Sequence, residues 1–456
     1  MIIANCRVRG MEGFYDVKYE NGVFTSIEKH SSNQTTSDRT TSDRTTLGMT
    51  SDKKTSNSKT SGRTTLDRKA SDRKVSDNDD DIYQAEGKLM MPPFVEPHIH
   101  LDCVLTAGIP HYNMSGTLFE GISTWQEYKT TQPLVVSEIK DRARQALRLM
   151  AEYGIQFVRT HVDVTETSFQ GVIALEELKE EMKGTIEIQT IAFPQNGIFS
   201  IKDGKKHMER AMEMGMDCVG GIPHYEFTRE YGIESIKYIF ELAEKYDAMV
   251  DVHCDEMDDE QSRFLETLAT MAWERDWGKR TVAAHTCAMG SYNDSYCTKL
   301  FRLLKESKIN FNACPSANMH LQGRIDRFPK RRGVTRIKEM SQEGINVALG
   351  QDSIADPWYP IGVGNLLRVL EMGLHAAHMM GYEDLRHCLD LISINGARNL
   401  CIENEYGIEV GKPANFILLD GKDDYEILRF LSPVVLSVHN GNVIVEKNPS
   451  VASVQF

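Results

Sequence analysis

Phe94-Val95-Glu96-Pro97-His98-Ile99-His100-Leu101-Asp102 is an apolar run that closes on two histidines two residues apart. In a strand, residues i and i+2 project from the same face, so both imidazoles enter the same space at the strand's end. Downstream of it the same grammar returns. Apolar strand candidates end at His161-Val162-Asp163, Phe193-Pro194-Gln195, His224-Tyr225-Glu226, Val252-His253, Ala284-His285, Ala313-Cys314-Pro315 and Gly350-Gln351-Asp352. Helical stretches separate them. In residues 137–153 the apolar positions Ile139, Ala143, Ala146, Leu147 and Met150 share one face, with Ser137 placed as N-cap and Gly154 as the stop. Eight such strand and helix units over about 300 residues, each strand ending in polar side chains, predict an α/β fold: a (β/α)8 barrel of TIM type, its active face at the strands' C-terminal ends.

Working outward, residues 1–30 hold two short alternating segments around Glu20-Asn21-Gly22, a hairpin signal. Short-strand grammar resumes at 414–420 and 434–444, where Asn440-Gly441-Asn442 marks a turn. These pieces predict a small β-sandwich domain built from both chain ends. Its parts are 1–30, a return strand in 81–96 and a C-terminal part in 401–456, flanking a barrel over 97–400. Between the first two lies a degenerate polar repeat, 31–80, in which Thr35-Thr36-Ser37-Asp38-Arg39 recurs as Thr40-Thr41-Ser42-Asp43-Arg44. It holds ten Lys/Arg and eight Asp with almost no large apolar residues. Such a segment cannot bury enough surface to offset its ordering entropy, which predicts a disordered insertion.

The 456 residues carry 66 acidic against 52 basic side chains, a formal charge of −14. A net acidic chain lacks the field that holds a phosphate backbone, so nucleic-acid polymers and anionic membranes are poor partners and small, weakly charged substrates fit better. Nine scattered cysteines without CxxC spacing describe neither a disulfide framework nor a thiolate zinc site. The N-terminal residues lack a secretory pattern and no run of about 18 apolar residues occurs. A reducing cytoplasm is the expected location.

His98 and His100 make half a metal site. His253, His285 and Asp352 follow on other strand ends and are placed to converge with them. The set His98, His100, His253 and Asp352 offers three neutral nitrogens and a carboxylate, which suits one Zn²⁺ or Fe²⁺ rather than Mg²⁺ or Ca²⁺. A hydrolytic site follows, since such an ion lowers the pKa of bound water to near 7. His285 is left as a base or hydrogen-bond partner. Glu256, three residues past His253, reads either as the proton shuttle of this site or, with Asp258, Asp259 and Glu260, as a solvated acidic helix start. His161 and His224 read as supporting or structural, and His320, His375 and His378 as packing or surface residues. Cys103, Cys254 and Cys287 each adjoin or closely flank a site residue and are expected to point away from it.

With these residues in place the chain resembles the amidohydrolase superfamily, and within it the bacterial cytosine deaminase family, from about Met91 to Ile444. The match is carried by residues 94–102, Ser115-Gly116-Thr117-Leu118-Phe119-Glu120-Gly121, Arg159-Thr160-His161-Val162-Asp163 and Phe227-Thr228-Arg229-Glu230-Tyr231-Gly232. Val252-His253-Cys254-Asp255-Glu256, His320-Leu321-Gln322-Gly323-Arg324 and Asp356-Pro357-Trp358-Tyr359-Pro360 add to it, whereas 31–80 has no counterpart. The resemblance implies one divalent metal per subunit, Fe²⁺ or Zn²⁺, on His98, His100, His253 and Asp352, and a homo-oligomer such as a hexamer. It implies that Gln195 bonds the pyrimidine edge, that Glu256 shuttles a proton to N3, that His285 and Asp352 handle the attacking water, and that Leu118 and Trp358 wall the ring.

The chain departs from the family at Gln351-Asp352-Ser353, where His-Asp-Asp is usual, and at Ser316-Ala317, where bulkier apolar residues are common. Ser353 removes charge and volume beside the substrate. The expected activity is therefore hydrolytic deamination of cytosine to uracil and ammonia, with 5-methylcytosine admitted as well. The alternatives are deamination of another cyclic amidine (isoguanine, creatinine or a triazine), a ring-opening hydrolase, or a non-catalytic scaffold of the same fold.

Overall fold

The computed structural model describes residues 1–31, 82–448 and 454. The insertion expected over 31–80 lies, but for Ser31, outside the described residues. The chain begins with β1 (Ile2–Val8), β2 (Tyr15–Glu20) and β3 (Val23–Lys29), followed by β4 (Ile82–Gln84) and β5 (Leu89–Met91). β2 and β3 join through Asn21 and Gly22 at φ 49° and 78°, the left-handed pair that a two-residue type I′ turn demands. At Asn5, φ 56°, β1 bends: its first residues pair with β2 and β4, Cys6 still pairs with Tyr15 of β2 after a register shift, and its last two residues pair with β5. That corner folds one sheet over the other. Alternate residues Ile3, Val17 and Phe24 then meet Phe416, Leu418 and Val438 in a separate apolar core.

The expected return strand 81–96 is divided differently. β4 and β5 belong to the small domain, but Phe94 already opens the first barrel strand, β6 (Phe94–Ile99), hydrogen-bonding the Gly154 carbonyl. After β6 come β7 (Ile155–Asp163), β8 (Glu187–Phe193), β9 (Cys218–Gly221), β10 (Met249–Cys254), β11 (Thr281–His285), β12 (Asn310–Ala313) and β13 (Val347–Leu349). They pair in chain order, all parallel. A parallel bridge from Ile99 to Asp352, with the Asp352 amide donating to the His98 carbonyl at 2.8 Å, closes the ring. Helices cover the outside, so the strands are buried on both faces and read as continuous apolar runs. The fold is a (β/α)8 barrel with a small β-sandwich built from both chain ends.

Two local expectations shift. The helix read at 137–153 spans Val136–Glu152, and Val135, extended and without a side-chain cap, takes the place expected of Ser137. Leu134 and Val136 pack on the core and draw the chain into the helix a residue early. The fourth strand ends at Gly221, so His224 lies in the short 3₁₀ turn Pro223–Tyr225 rather than on the strand. Gly221 is pressed against the outer helix: a Cβ there would stand 2.3 Å from Ile239 Cδ1.

The chain returns to the small domain through β14 (Phe416–Leu419), β15 (Val434–His439) and β16 (Asn442–Glu446), giving the order β16-β15-β14-β5-β1-β2-β3 with β4 beside β1. Its seam with the barrel is polar and satisfied. Gln156 donates to Ser437 Oγ and the Val438 carbonyl, both at 2.9 Å, and His439 lies between Gln156 Oε1 (3.0 Å) and Glu187 Oε1 (3.2 Å). Arg9 bridges Asp390 and Asp424, both at 2.7 Å.

Candidate active site

Each barrel strand delivers its last residues to one mouth, and there the histidines meet. His98 Nε2 lies 3.4 Å and His100 Nε2 3.6 Å from Asp352 Oδ1, and His100 Nε2 faces His253 Nε2 at 3.1 Å. His98, His253, His285 and Asp352 each offer a ligating atom within 4.8 Å of the others. All five residues are buried. Burial pushes the His98 imidazole down to about 3, His100 to about 4 and His285 to about 3, and holds His253 well below the usual range with neighbouring imidazoles adding to the effect. The rings are thus neutral, with lone pairs free. His98 Nε2 is buried without a hydrogen-bond partner, a costly state. Three neutral imidazoles and a carboxylate converging this way fit a divalent ion, which would relieve that cost.

His285 differs from the other rings. Asn318 accepts the Cys314 amide on Oδ1 (3.3 Å), which turns its Nδ2 toward His285 Nδ1 (3.0 Å) and Glu256 Oε1 (3.4 Å). An amide nitrogen can only donate, so His285 Nδ1 accepts and its proton sits on Nε2, aimed at the cluster. In that tautomer His285 presents an N–H to the cluster; it stands with His98, His253 and Asp352 in the tight group, whereas His100 is outside that group and is placed by its contacts with Asp352 and His253. The Glu256 carboxyl is 3.6 Å from His285 and fully enclosed. Burial, reinforced by the Asp352 carboxylate, raises it well above the ordinary range. Of the two readings of Glu256, the solvated helix start is therefore excluded.

His100, His253, Glu256, Asp352, Gln195, Leu118, Trp358 and Ser353 all line one cleft, which Ile222 and Leu321 complete. The Trp358 indole lies nearly parallel to the His100 ring, 6.2 Å between centroids. Gln195 sits on a loop anchored from below: Glu226 accepts from the Ile198 amide (2.6 Å) and from Ser200 N (2.9 Å) and Oγ (2.6 Å). Gly197, φ 87°, lets the loop close, since a Cβ there would meet Glu226 Oε2 at 2.8 Å.

Several supporting residues are not evident from spacing. Glu96 accepts the His98 amide (3.0 Å) and the Gln351 amide, tying the first strand to the last, and burial raises its carboxyl to about 8. A buried acid inside an apolar strand was the available signal. Nothing in the sequence marks Asn318 or Glu226. His161 Nε2 lies 3.1 Å from His98 Nδ1, behind the cluster. His98, His161 and Asp251 form a second close group, in which Asp251 is already paired with Arg159 at 3.3 Å. The Cys103, Cys254 and Cys287 thiols are buried and pushed well above their ordinary range, which makes them poor nucleophiles.

Residues 113–445 match the amidohydrolase family, and the chain belongs to that family. Among known members it is 28% identical over 382 residues to N-isopropylammelide isopropyl amidohydrolase of Pseudomonas sp. (strain ADP), covering 82% of this chain and 90% of that protein. It is 24% identical to a pterin deaminase of Rhizobium rhizogenes over 75% of this chain and 77% of that one. Among solved structures, 5-methylcytosine deaminase from Klebsiella pneumoniae liganded with 5-fluorocytosine is 44% identical, with a TM-score of 0.88 and coverage of 100% of this chain and 99% of that chain. No helix among the described residues is long and apolar enough to cross a membrane.

Proposed function

We propose that the protein is a hydrolytic deaminase of cytosine and 5-methylcytosine. The observation that carries this reading is that Glu256, Asp352 and Gln195 line one cleft, with the Glu256 carboxyl buried and raised well above its ordinary range. The full-length likeness to a deaminase holding 5-fluorocytosine supports it.

His98, His100, His253 and Asp352 would hold the metal, Zn²⁺ or Fe²⁺, whose chemistry is to lower the pKa of water and supply hydroxide at neutral pH. Gln195 orients the pyrimidine by its N1–H and O2, and Leu118 and Trp358 hold the ring flat and exclude water. Asp352 takes one proton from the attacking water as its oxygen bonds to C4, and Glu256 gives its proton to N3. Asp352 then passes its proton to the amino group, and the C4–N bond breaks with its electron pair leaving on ammonia. The remaining hydroxyl proton returns to Glu256 as the C4 carbonyl forms. His285, proton on Nε2, donates to the oxygen throughout.

Ser353 lies on the cleft wall, buried and uncharged, where cytosine deaminases carry a carboxylate. On this reading its small, uncharged side chain is what admits a 5-methyl group. Incubation with 5-methylcytosine should give thymine and ammonia in equal amounts by NMR. A ring-opened product, or no conversion by metal-replete protein, contradicts the reading.

A further inference from the structure

The wall that carries Leu118 is a separate piece of the molecule. The helix Leu118–Thr131 does not pack into the barrel core. Its Leu118, Ile122, Trp125 and Tyr128 form a small apolar cluster with Cys314, Leu321 and Trp358 at the mouth. Its first turns touch the other cleft wall, for a Cβ at Gly121 would fall 2.6 Å from the Trp358 indole. Such a small cluster at the mouth fixes a helix loosely unless something polar locks its far end.

That lock is present. Near the helix's C-terminal end, Lys129 Nζ donates to Asp163 Oδ2 at 2.6 Å, to Thr165 Oγ at 3.1 Å and to Asn196 Oδ1 at 3.3 Å. Trp125 Nε1 donates to the same Asp163 oxygen at 3.1 Å, and the lysine and aspartate side chains are each only 4% exposed. Asp163 is the last residue of β7. Its amide is held by Asp102 Oδ2 at 2.9 Å, its other oxygen accepts from Thr165 N and Oγ, and Thr165 Oγ lies 3.0 Å from the Oδ1 of Asn196, the neighbour of Gln195. Neither Lys129 nor Asp163 lines the cleft.

We propose that the buried Lys129–Asp163 pair is a strut that sets the spacing between the helix bearing Leu118 and the loop bearing Gln195, and so the width of the slot that grips the pyrimidine ring. Both are positioning residues. The inference rests on the function proposed above for its ligand, but not for its mechanics. Removing the ammonium while keeping an apolar stem, Lys129→Met, leaves the buried Asp163 without a cation and the helix tied to it by Trp125 Nε1 alone, which loosens the helix. Lys129→Arg restores a donor to the same oxygen.

The test reads two properties of the full-length, metal-loaded protein. Hydrogen exchange across residues 118–131 should speed up at least tenfold in Lys129→Met, with the barrel strands and the bound metal unchanged, and should return toward wild type in Lys129→Arg. The dissociation constant for phosphonocytosine, a ligand held in another structure of the Klebsiella pneumoniae 5-methylcytosine deaminase, should rise at least tenfold by calorimetry in Lys129→Met and recover in Lys129→Arg. Unchanged exchange in the helix overturns the strut. Faster exchange with unchanged phosphonocytosine affinity overturns its role in setting the slot. Wild-type protein that fails to bind phosphonocytosine overturns the substrate reading alone, and exchange still decides the strut. If Lys129→Met does not accumulate folded, Thr165→Val, which removes a partner of both Lys129 and Asp163, is read the same way.

Discussion

At the scale of single residues, the chemistry is set by which protons are held where. Burial and the nearby Asp352 carboxylate both disfavour the charged form of Glu256 and raise its carboxyl well above the ordinary range. Replacing it by glutamine preserves shape and leaves the histidines untouched. Glu256→Gln should bind metal as wild type does while kcat falls by about 10²- to 10⁴-fold, the usual worth of a positioned proton donor; an unreduced rate in metal-replete mutant protein would remove Glu256 from the mechanism. Ser353→Asp should return a carboxylate to the wall and lower kcat/KM for 5-methylcytosine relative to cytosine by at least tenfold, measured side by side. An unchanged ratio would show that Ser353 does not set the choice. That His98 and His100 share a face was legible from strand periodicity, whereas Glu256 and Asp352 lie past the ends of β10 and β13 and Glu256 had two readings on spacing alone. Asn318 and Glu96 were not legible, since each acts by a hydrogen bond to a residue distant in sequence.

At the scale of elements, the alternation of apolar strands and amphipathic helices was legible because both periods are local. Ends were less so: β9 stops early, where its two glycines admit close neighbours, and the cap expected of Ser137 gives way to the docking of Leu134 and Val136. Contacts between elements leave almost no local trace. The seam of β7, β8 and β15 shows this, where Glu187 meets His439. That hydrogen bond is the leading cause that lowers the Glu187 carboxyl below its ordinary value. A lowered folded-state value stabilises the protein above the unfolded value, near pH 4.5, and the contribution disappears as pH falls through the folded value. Because Glu187 is 42% exposed on its side chain, solvent screening keeps the effect small. Glu187→Gln should cost about 0.5 kcal/mol at pH 6 and less at pH 3, by urea unfolding at both values. Equal loss at both pH values would assign the effect to packing.

At the scale of the whole molecule, the barrel carries at its mouth five buried site side chains whose neutral rings and orphaned nitrogen are poorly served without a cation. Binding to the folded state alone stabilises it by RT ln(1 + [L]/Kd), about 4 kcal/mol at 1,000 times Kd. Chelation should therefore lower Tm by several degrees, with recovery on adding Zn²⁺ or Fe²⁺; a Tm indifferent to chelator and metal would mean that the cluster holds no ion. The architecture of a barrel flanked by a two-ended β-sandwich was legible from repeat length and turn residues. The 94/97 boundary was not, because β5 and β6 are separated by only two prolines and both are buried.

The central claim is that this cleft removes the amino group of a cytosine. The most direct measurement is ammonia release by the full chain, loaded in parallel with Fe²⁺ and Zn²⁺, against cytosine, 5-methylcytosine, isoguanine and creatinine, with Glu256→Gln as control. Turnover of both cytosines by at least one metal form, abolished in the control, is the result expected. Release from isoguanine or creatinine alone, or none from any of the four with metal bound, would contradict the claim.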